Sequence, residues 1–401
     1  VDKKALLDSK AAGMETGVQY VPPRSAEERI LCGLWEQVLG CGPVGIRDNF
    51  FDLGGDSIKA IQIVSRLSRE NLAIEVRDLF AFPTVRDLAV HLTPKVRIAE
   101  QGPVTGPVPL TAIQAWHFRA NWDHAEHYTQ AVLLHARQRL DEHSLRQAMA
   151  ALQEHHDALR MSYRVEQGGI VQENRTTDDF PLSIETIDLR GKERSPEEIG
   201  RRCSKVPASM RLGGPMMRAV LLRGDSADEL CIVIHHLVVD GVSWRILIED
   251  LETGYEQALA GNAVRLPRKT DPFKKWAEHM QEYSAGPKLM EEIPFWRTVE
   301  ETATDRVPAD FPAASNRCED METLVCELGE EETAALLTKA NRAFHTETKD
   351  LLLVALGRTF KRLFGIARSV IDLEGHGREA IGGAIDVART VGWFTSLYPF
   401  V

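Results

Sequence analysis

Hydrophobic positions along the 401-residue chain follow two patterns, and the change comes near residue 100. From Ser25 to about Thr93 the apolar residues recur at helical spacing. Ile30, Leu34 and Val38 form one stripe behind a Ser25/Glu28 capping box. Ala60, Ile63, Val64 and Leu67 form a second stripe that begins at Ser57. Two short apolar groups, at 76–80 and at 85–92 after Pro83-Thr84, predict two more helices. Beyond Pro109 strand and helix patterns alternate, which predicts an α/β arrangement. Helices are expected at 110–121 and 141–154, and strands at 131–135, 217–223 and 230–237. His156 to Tyr163 leads into another strand. Linking helices are expected at 276–280 and 292–299, followed by a proline- and alanine-rich crossover at 305–316. The last part predicts a strand at 322–328 and a helix at 347–363. That helix carries Leu352, Leu356, Phe360 and Leu363 on one face, and a strand follows at 369–373.

The stretch from Cys231 to Trp244 breaks the apolar pattern in an informative way. Leu230, Ile232 and Ile234 alternate with Cys231 and Val233, and both sets are apolar, so the strand is read as buried on both faces. His235 and His236 interrupt it. An unpartnered imidazole in a core is costly, so each needs a partner or a cavity. Asp240-Gly241 reads as a sharp turn, and helical spacing follows from Trp244 to Ala260. An imidazole where a buried strand opens into a turn is well placed for proton transfer.

Charge narrows the classes of partner. The net charge of −11 argues against nucleic acid or an anionic membrane. The six cysteines are Cys32, Cys41, Cys203, Cys231, Cys318 and Cys326, with no Cys-x-x-Cys pair. A reducing, cytoplasmic setting is the reading, and nothing in the pattern calls for a metal. No apolar run approaches 18 residues, so no membrane span is expected. The first residues are too charged for a signal peptide. Residues 1–23, ending in Pro22-Pro23, and residues 98–108 read as linkers.

Two stretches carry candidate chemistry. In Asp52-Leu53-Gly54-Gly55-Asp56-Ser57, the glycines allow a tight turn, and Ser57 stands at a helix N-terminus that favours a phosphate. Residues 24–97 resemble a peptidyl carrier protein, a small four-helix bundle. The resemblance implies phosphopantetheine attached covalently to Ser57 by a phosphopantetheinyl transferase. Asp56, with Ile58 to Gln62, looks like the carrier variant paired with epimerisation domains. Val1 to Leu6 is similar to the tail of an adenylation domain, which implies one upstream in a longer polypeptide.

The second stretch, His235-His236-x-x-x-Asp240-Gly241-x-Ser243-Trp244, resembles the signature of condensation and epimerisation domains of non-ribosomal peptide synthetases. The implied fold is an α/β two-lobed domain like chloramphenicol acetyltransferase. Its lobes would be residues 109–265 and 317–401, with 266–316 between them. The second lobe would be incomplete, because family members continue further. Three more segments fit the epimerisation branch: Glu374-Gly-His-Gly-Arg-Glu379, Arg389-Thr-Val-Gly-Trp-Phe-Thr395 and Asp350 to Gly357. The resemblance covers residues 108–401. It implies that His236 and Glu374, from different lobes, move protons on opposite faces of an aminoacyl or peptidyl thioester. It also implies that Asp240 pairs with Arg160, that His235 and Gly241 support the loop, and that a condensation domain acts downstream. A peptide-bond-forming condensation domain and an inactive carrier-docking module are the alternatives.

Overall fold

A computed structural model describes residues 18–95, 99–120, 122–167, 169–191, 195–302, 304–309, 320–344, 346–379, 381 and 385–401. The stretch at residues 1–6 and Cys318 lie outside the described residues, as does most of the crossover at 305–316. The chain divides into two compact units. One comprises Val1–Pro94, Glu291–Leu373 and Tyr398–Val401, and the other Lys95–Met290 with Glu374–Leu397.

The first helix, α1 (Ala26–Leu39), starts at the expected Ser25/Glu28 capping box and ends on Gly40 in the left-handed conformation. It is followed by α2 (Ser57–Leu67), α3 (Val76–Ala81) and α4 (Val85–Ala89). Two-residue strands, β1 (Leu72–Ala73) and β2 (Thr93–Pro94), pair antiparallel. The helical stripes face one core in which Leu31, Trp35, Phe50, Ile63, Leu79 and Leu88 are fully buried. This is the four-helix carrier arrangement that the spacing predicts.

In the other unit, β3 (Gly106–Val108) and α5 (Ala112–Arg119) precede β4 (Thr129–His135) and α6 (Glu142–His155). Strands β5 (Met161–Glu166), β6 (Gly169–Asn174) and β7 (Ile184–Asp188) follow, then α7 (Pro196–Cys203) and α8 (Lys205–Ala208). Next come β8 (Met217–Arg223), β9 (Glu229–His235) and α9 (Gly241–Leu259). Four strands form a mixed sheet in the order β4-β9-β8-β7, and three form an antiparallel sheet in the order β3-β6-β5. All seven residues of β9 are buried, in keeping with an apolar run on both faces. Cys231 and Val233 join Val220 and Leu222 in a cluster with Ile199 and Val206. The strand stops at His235 rather than Leu237. There the chain turns through a 3₁₀ segment, His236–Val238, and the His235 side chain accepts from the Leu237 N–H.

The rest of the chain forms α10 (Phe273–Ser284), α11 (Pro287–Glu301), α12 (Glu330–Ala335), α13 (Asn341–Phe344) and α14 (Thr348–Phe364). Strands β10 (Ile371–Gly375) and β11 (Ser396–Phe400) make a two-stranded sheet. Residues 322–328 are not a strand. They find no ladder partner among the described residues, and Leu324 and Val325 are exposed, so β-propensity alone does not hold them. The stripe expected on α14 is also largely exposed at Leu352, Leu356 and Leu363. Glu374–Leu397 groups with Lys95–Met290, so His236 and Glu374 belong to one compact unit.

Candidate active site

Ser57 occupies the first position of α2, half-buried, and Asp56 is the N-cap. The Asp56 carboxylate accepts from the Lys59 N–H at 2.8 Å. The serine hydroxyl is therefore not needed to start the helix. Gly54 takes a φ of +83°, and a Cβ on Gly55 would lie 2.4 Å from the Phe50 ring. The turn thus requires both glycines and sets Ser57 beside the free N–H groups of a helix start. These residues fit a phosphate ester on Ser57.

His236 stands at the mouth of β9. Its N–H continues the β4/β9 pairing by donating to the Tyr128 carbonyl at 2.8 Å. Its ring stacks on the Tyr128 ring at 4.8 Å and 10°, and the Trp393 ring, 5.7 Å from Tyr128, packs beside both at 4.8 Å from His236. The ring is oriented by a two-step relay. Trp244 Nε1–H can only donate, and it donates to Gln130 Oε1 at 2.7 Å. The Gln130 amide nitrogen must then face His236 Nε2, 2.8 Å away. Neutral His236 therefore accepts at Nε2 and carries its proton on Nδ1, and the lone pair a base needs is at Nε2. Burial pushes the imidazole below its ordinary proton affinity. The backbone of His236, the Asp240 and Glu374 carboxylates and the Val239 backbone pull it back up.

Asp240 is the hub that ties three of the motif segments together. It caps α9, its Oδ1 accepting from the Ser243 N–H at 2.7 Å. Its partner is Arg378, whose Nη2 reaches Oδ1 at 3.1 Å, Oδ2 at 3.2 Å and Ser243 Oγ at 3.0 Å. The same guanidinium donates to the Val387 and Thr390 carbonyls and lies 3.9 Å over the Phe394 ring. The Phe394 N–H donates to Asp240 Oδ2, and the Gly392 N–H to Ser243 Oγ. Gly377 is obligatory, with a φ of +65° and a Cβ position 1.7 Å from the Phe394 carbonyl oxygen. Arg389 completes the clamp by pairing with Glu249 and Asp250 of α9, and Asp250 also pairs with His156. Three sequence segments, at 235–244, 374–379 and 389–395, are thus one hydrogen-bonded assembly.

The expected Arg160–Asp240 pair does not form. Arg160 is fully buried, and its guanidinium donates to Asp157 Oδ1 at 2.7 Å and to backbone carbonyls that include that of Arg175. Asp157 lies three residues earlier on the same 3₁₀ turn, so the local partner takes the charge. Arg378 supplies the cation for Asp240 instead. Arg378 lies inside a segment that the sequence reading singles out, but only the buried hydrogen bonds reveal its role. Gln130 and Tyr128 carry no sequence signal of function, because they contribute through packing and a relay, whereas Trp393 lies inside the 389–395 segment that the sequence reading singles out.

His235 is fully buried, with Nδ1 accepting from Leu237 N–H and Nε2 donating to the Ala125 carbonyl at 3.0 Å. Burial pushes it down to about 4. Gly241 is the first residue of α9, and an added Cβ would meet nothing within 4 Å, so sterics do not demand glycine there. Glu374 is exposed on β10, and its carboxylate acts on the proton affinity of both His236 and Tyr128. A cavity of about 270 Å³ lined by Arg201, Arg202, Lys205 and Arg218 contains none of these residues. No described helix is long and apolar enough to cross a membrane.

Comparison with known proteins follows the same division. A Condensation domain family model matches residues 104–401, and a Phosphopantetheine attachment site model matches residues 29–92. The sequence is 42% identical over 401 residues to Tyrocidine synthase 1 of Brevibacillus parabrevis, covering 100% of this chain and 37% of that protein. It is 41% identical over 406 residues to Surfactin synthase subunit 1 of Bacillus subtilis (strain 168), covering 100% of this chain and 11% of that protein. The chain spans well under half the length of these relatives. Among solved structures, it is similar to the epimerization domain from the third module of tyrocidine synthetase B. That match has 42% identity and a TM-score of 0.72, covering 76% of this chain and 68% of that one. The X-domain from teicoplanin biosynthesis shares the fold at 21% identity and a TM-score of 0.63, covering 75% of this chain and 67% of that one.

Proposed function

The chain belongs to the condensation-domain family of non-ribosomal peptide synthetases and carries a phosphopantetheine carrier domain, and from that premise we propose that it epimerises a carrier-bound aminoacyl or peptidyl thioester. The observation that carries the reading is the Arg378–Asp240 pair. It fastens the segment bearing Glu374 to the loop bearing His236, within one compact unit. Similarity to a solved epimerization domain at 42% identity supports it further.

In this reading Ser57 holds phosphopantetheine, whose thiol presents the acyl group as a thioester. His236 Nε2 takes the α-proton, and the thioester carbonyl accepts the charge left behind. Glu374, as the carboxylic acid, returns a proton to the opposite face, and the reverse reaction exchanges the two roles. Gln130 holds the Nε2 lone pair in a hydrogen bond that the substrate displaces when it arrives. His235 and Asp240 hold the loop. Arg160 braces the turn before β5 through Asp157 rather than through Asp240. The proposed partners are a phosphopantetheinyl transferase, an upstream adenylation domain and a downstream condensation domain, in the cytoplasm.

Two measurements test this. A phosphopantetheinyl transferase should add one pantetheine mass to the wild type and none to Ser57→Ala, by mass spectrometry. Chiral analysis of the loaded protein should show inversion at the α-carbon with no second carrier present. Peptide-bond formation with a second loaded carrier, without inversion, would instead favour the condensation reading.

A further inference from the structure

One side chain beside His236 has no part in the scheme above. His117, on α5, is fully buried, and neither ring nitrogen has a protein hydrogen-bond partner. A leucine or phenylalanine would fill the space without burying two unsatisfied polar atoms, so packing alone does not explain an imidazole. Its place is specific. The ring lies 4.8 Å from Tyr128 and 6.1 Å from Trp393, the two rings that pack beside His236, and 6.3 Å from His235. Helix α5 is fixed to the same loop one turn earlier. There Gln114 Nε2 donates to the Leu237 carbonyl at 3.0 Å, directly after His236. Residues 114 and 117 share a helix face, so one face of α5 grips the loop and backs the Tyr128 and Trp393 rings.

We propose that His117 is a positioning residue for His236, a neutral imidazole that supplies a polar surrounding for the positive charge His236 gains when it takes a proton. The inference rests on the epimerase reading for the step it serves, but not for the interaction itself. The other groups that face His236 are Tyr128 and Gln130 around β4, His235, Asp240 at the start of α9, Glu374 on β10 and Trp393. Asp240 is already committed to Arg378, and Glu374 is exposed. The Trp393 indole N–H, like the His117 nitrogens, has no protein partner. Burial first, and then the charge of His236, hold His117 down at about 4, so it stays neutral where His236 works. A neutral imidazole can turn a lone pair toward a new cation, which phenylalanine cannot.

The test compares His117→Phe with His117→Gln in the whole chain. Ring-labelled histidine NMR follows the protonation of His236 against pH. α-Proton exchange in deuterated buffer is read on protein loaded in turn with L-valyl-, L-leucyl- and L-phenylalanyl-phosphopantetheine. His117→Phe should melt at a higher temperature, because two unsatisfied polar atoms are gone. It should also move the His236 titration at least half a pH unit lower and slow exchange about tenfold, with His117→Gln restoring both. A higher melting temperature with an unmoved titration would overturn the proposal, and so would a titration that His117→Gln fails to restore. Should His117→Phe not fold, His117→Leu takes its place with the same expected shift in titration and exchange, and an unmoved titration in His117→Leu, or one lowered in His117→Gln, overturns the proposal. If the wild type exchanges none of the three substrates, the epimerase reading fails, while the titrations still decide the role of His117.

Discussion

Two aspartates start helices beside the two candidate sites, and they are used differently. Asp56 caps α2 next to Ser57, and Asp240 caps α9 just beyond His236. The local device is the same, a carboxylate accepting the backbone N–H three residues on, at 2.8 Å and 2.7 Å. Asp56 is exposed. Asp240 is 5% exposed and also binds Arg378 and the Phe394 N–H. The difference follows from the chemistry each site needs. The carrier has only to present a hydroxyl on a rigid turn, since the attached group brings the reactive thiol. The proposed reaction at the other site needs an imidazole of set proton affinity, which takes a partly buried surrounding with fixed charges.

The largest expected effect of a single group comes from breaking the buried cap. Asp240→Asn keeps a capping oxygen but leaves Arg378 buried without its counter-charge, which should cost ~3–5 kcal/mol. Urea denaturation measures it. A variant as stable as the wild type would mean that the pair does not hold the segments together.

Acid should come next. His117 and His235 each fall from 6.5 to about 4 on folding. Between those values the unfolded chain binds more protons than the folded one, so stability drops as pH falls through that window. Each imidazole should cost about 3 kcal/mol by pH 4. The urea midpoint, followed from pH 7.5 to pH 4.5, should fall steadily, and His117→Phe should flatten the slope. A midpoint that rises on acidification would contradict the burial argument.

The exposed cap should matter least. Asp56→Ala should lower stability by about 1 kcal/mol, the usual loss of a helix cap. Thermal denaturation of residues 18–95 within the whole chain would show it. A loss as large as that of Asp240→Asn would erase the contrast between the two caps.

The same contrast explains what could be read from the sequence. The carrier was legible almost residue by residue, because capping, glycine turns and helical stripes are local signals. The Ser25/Glu28 box and the start of α2 at Ser57 stand where the spacing puts them. The buried strand before His236 was legible too, because an apolar run on both faces has few other readings. The partner of Asp240 was not. Arg160 and Arg378 are both buried arginines, and choosing between them depends on a turn at Asp157 and on a pairing across a sequence separation of 138. The Trp244–Gln130–His236 relay and the place of His117 depend likewise on register between β4 and β9 and on the angle of α5. The strand expected at 322–328 fails for the converse reason, since a β-prone run becomes a strand only with a neighbour to pair with, and none lies against it among the described residues.

The central claim is that His236 and Glu374 each handle one face of the α-carbon. The most direct measurement is deuterium incorporation at the α-carbon of each enantiomer, loaded on the whole chain, for His236→Ala and Glu374→Gln. With one base left, a substrate of matching configuration can still lose its proton and regain one on the same face. Each variant should therefore exchange one enantiomer and not the other, without inversion, while epimerisation falls by at least ~10²-fold in both. If His236→Ala abolishes exchange from both enantiomers and Glu374→Gln leaves both intact, a single base does the work and the two-base account is wrong.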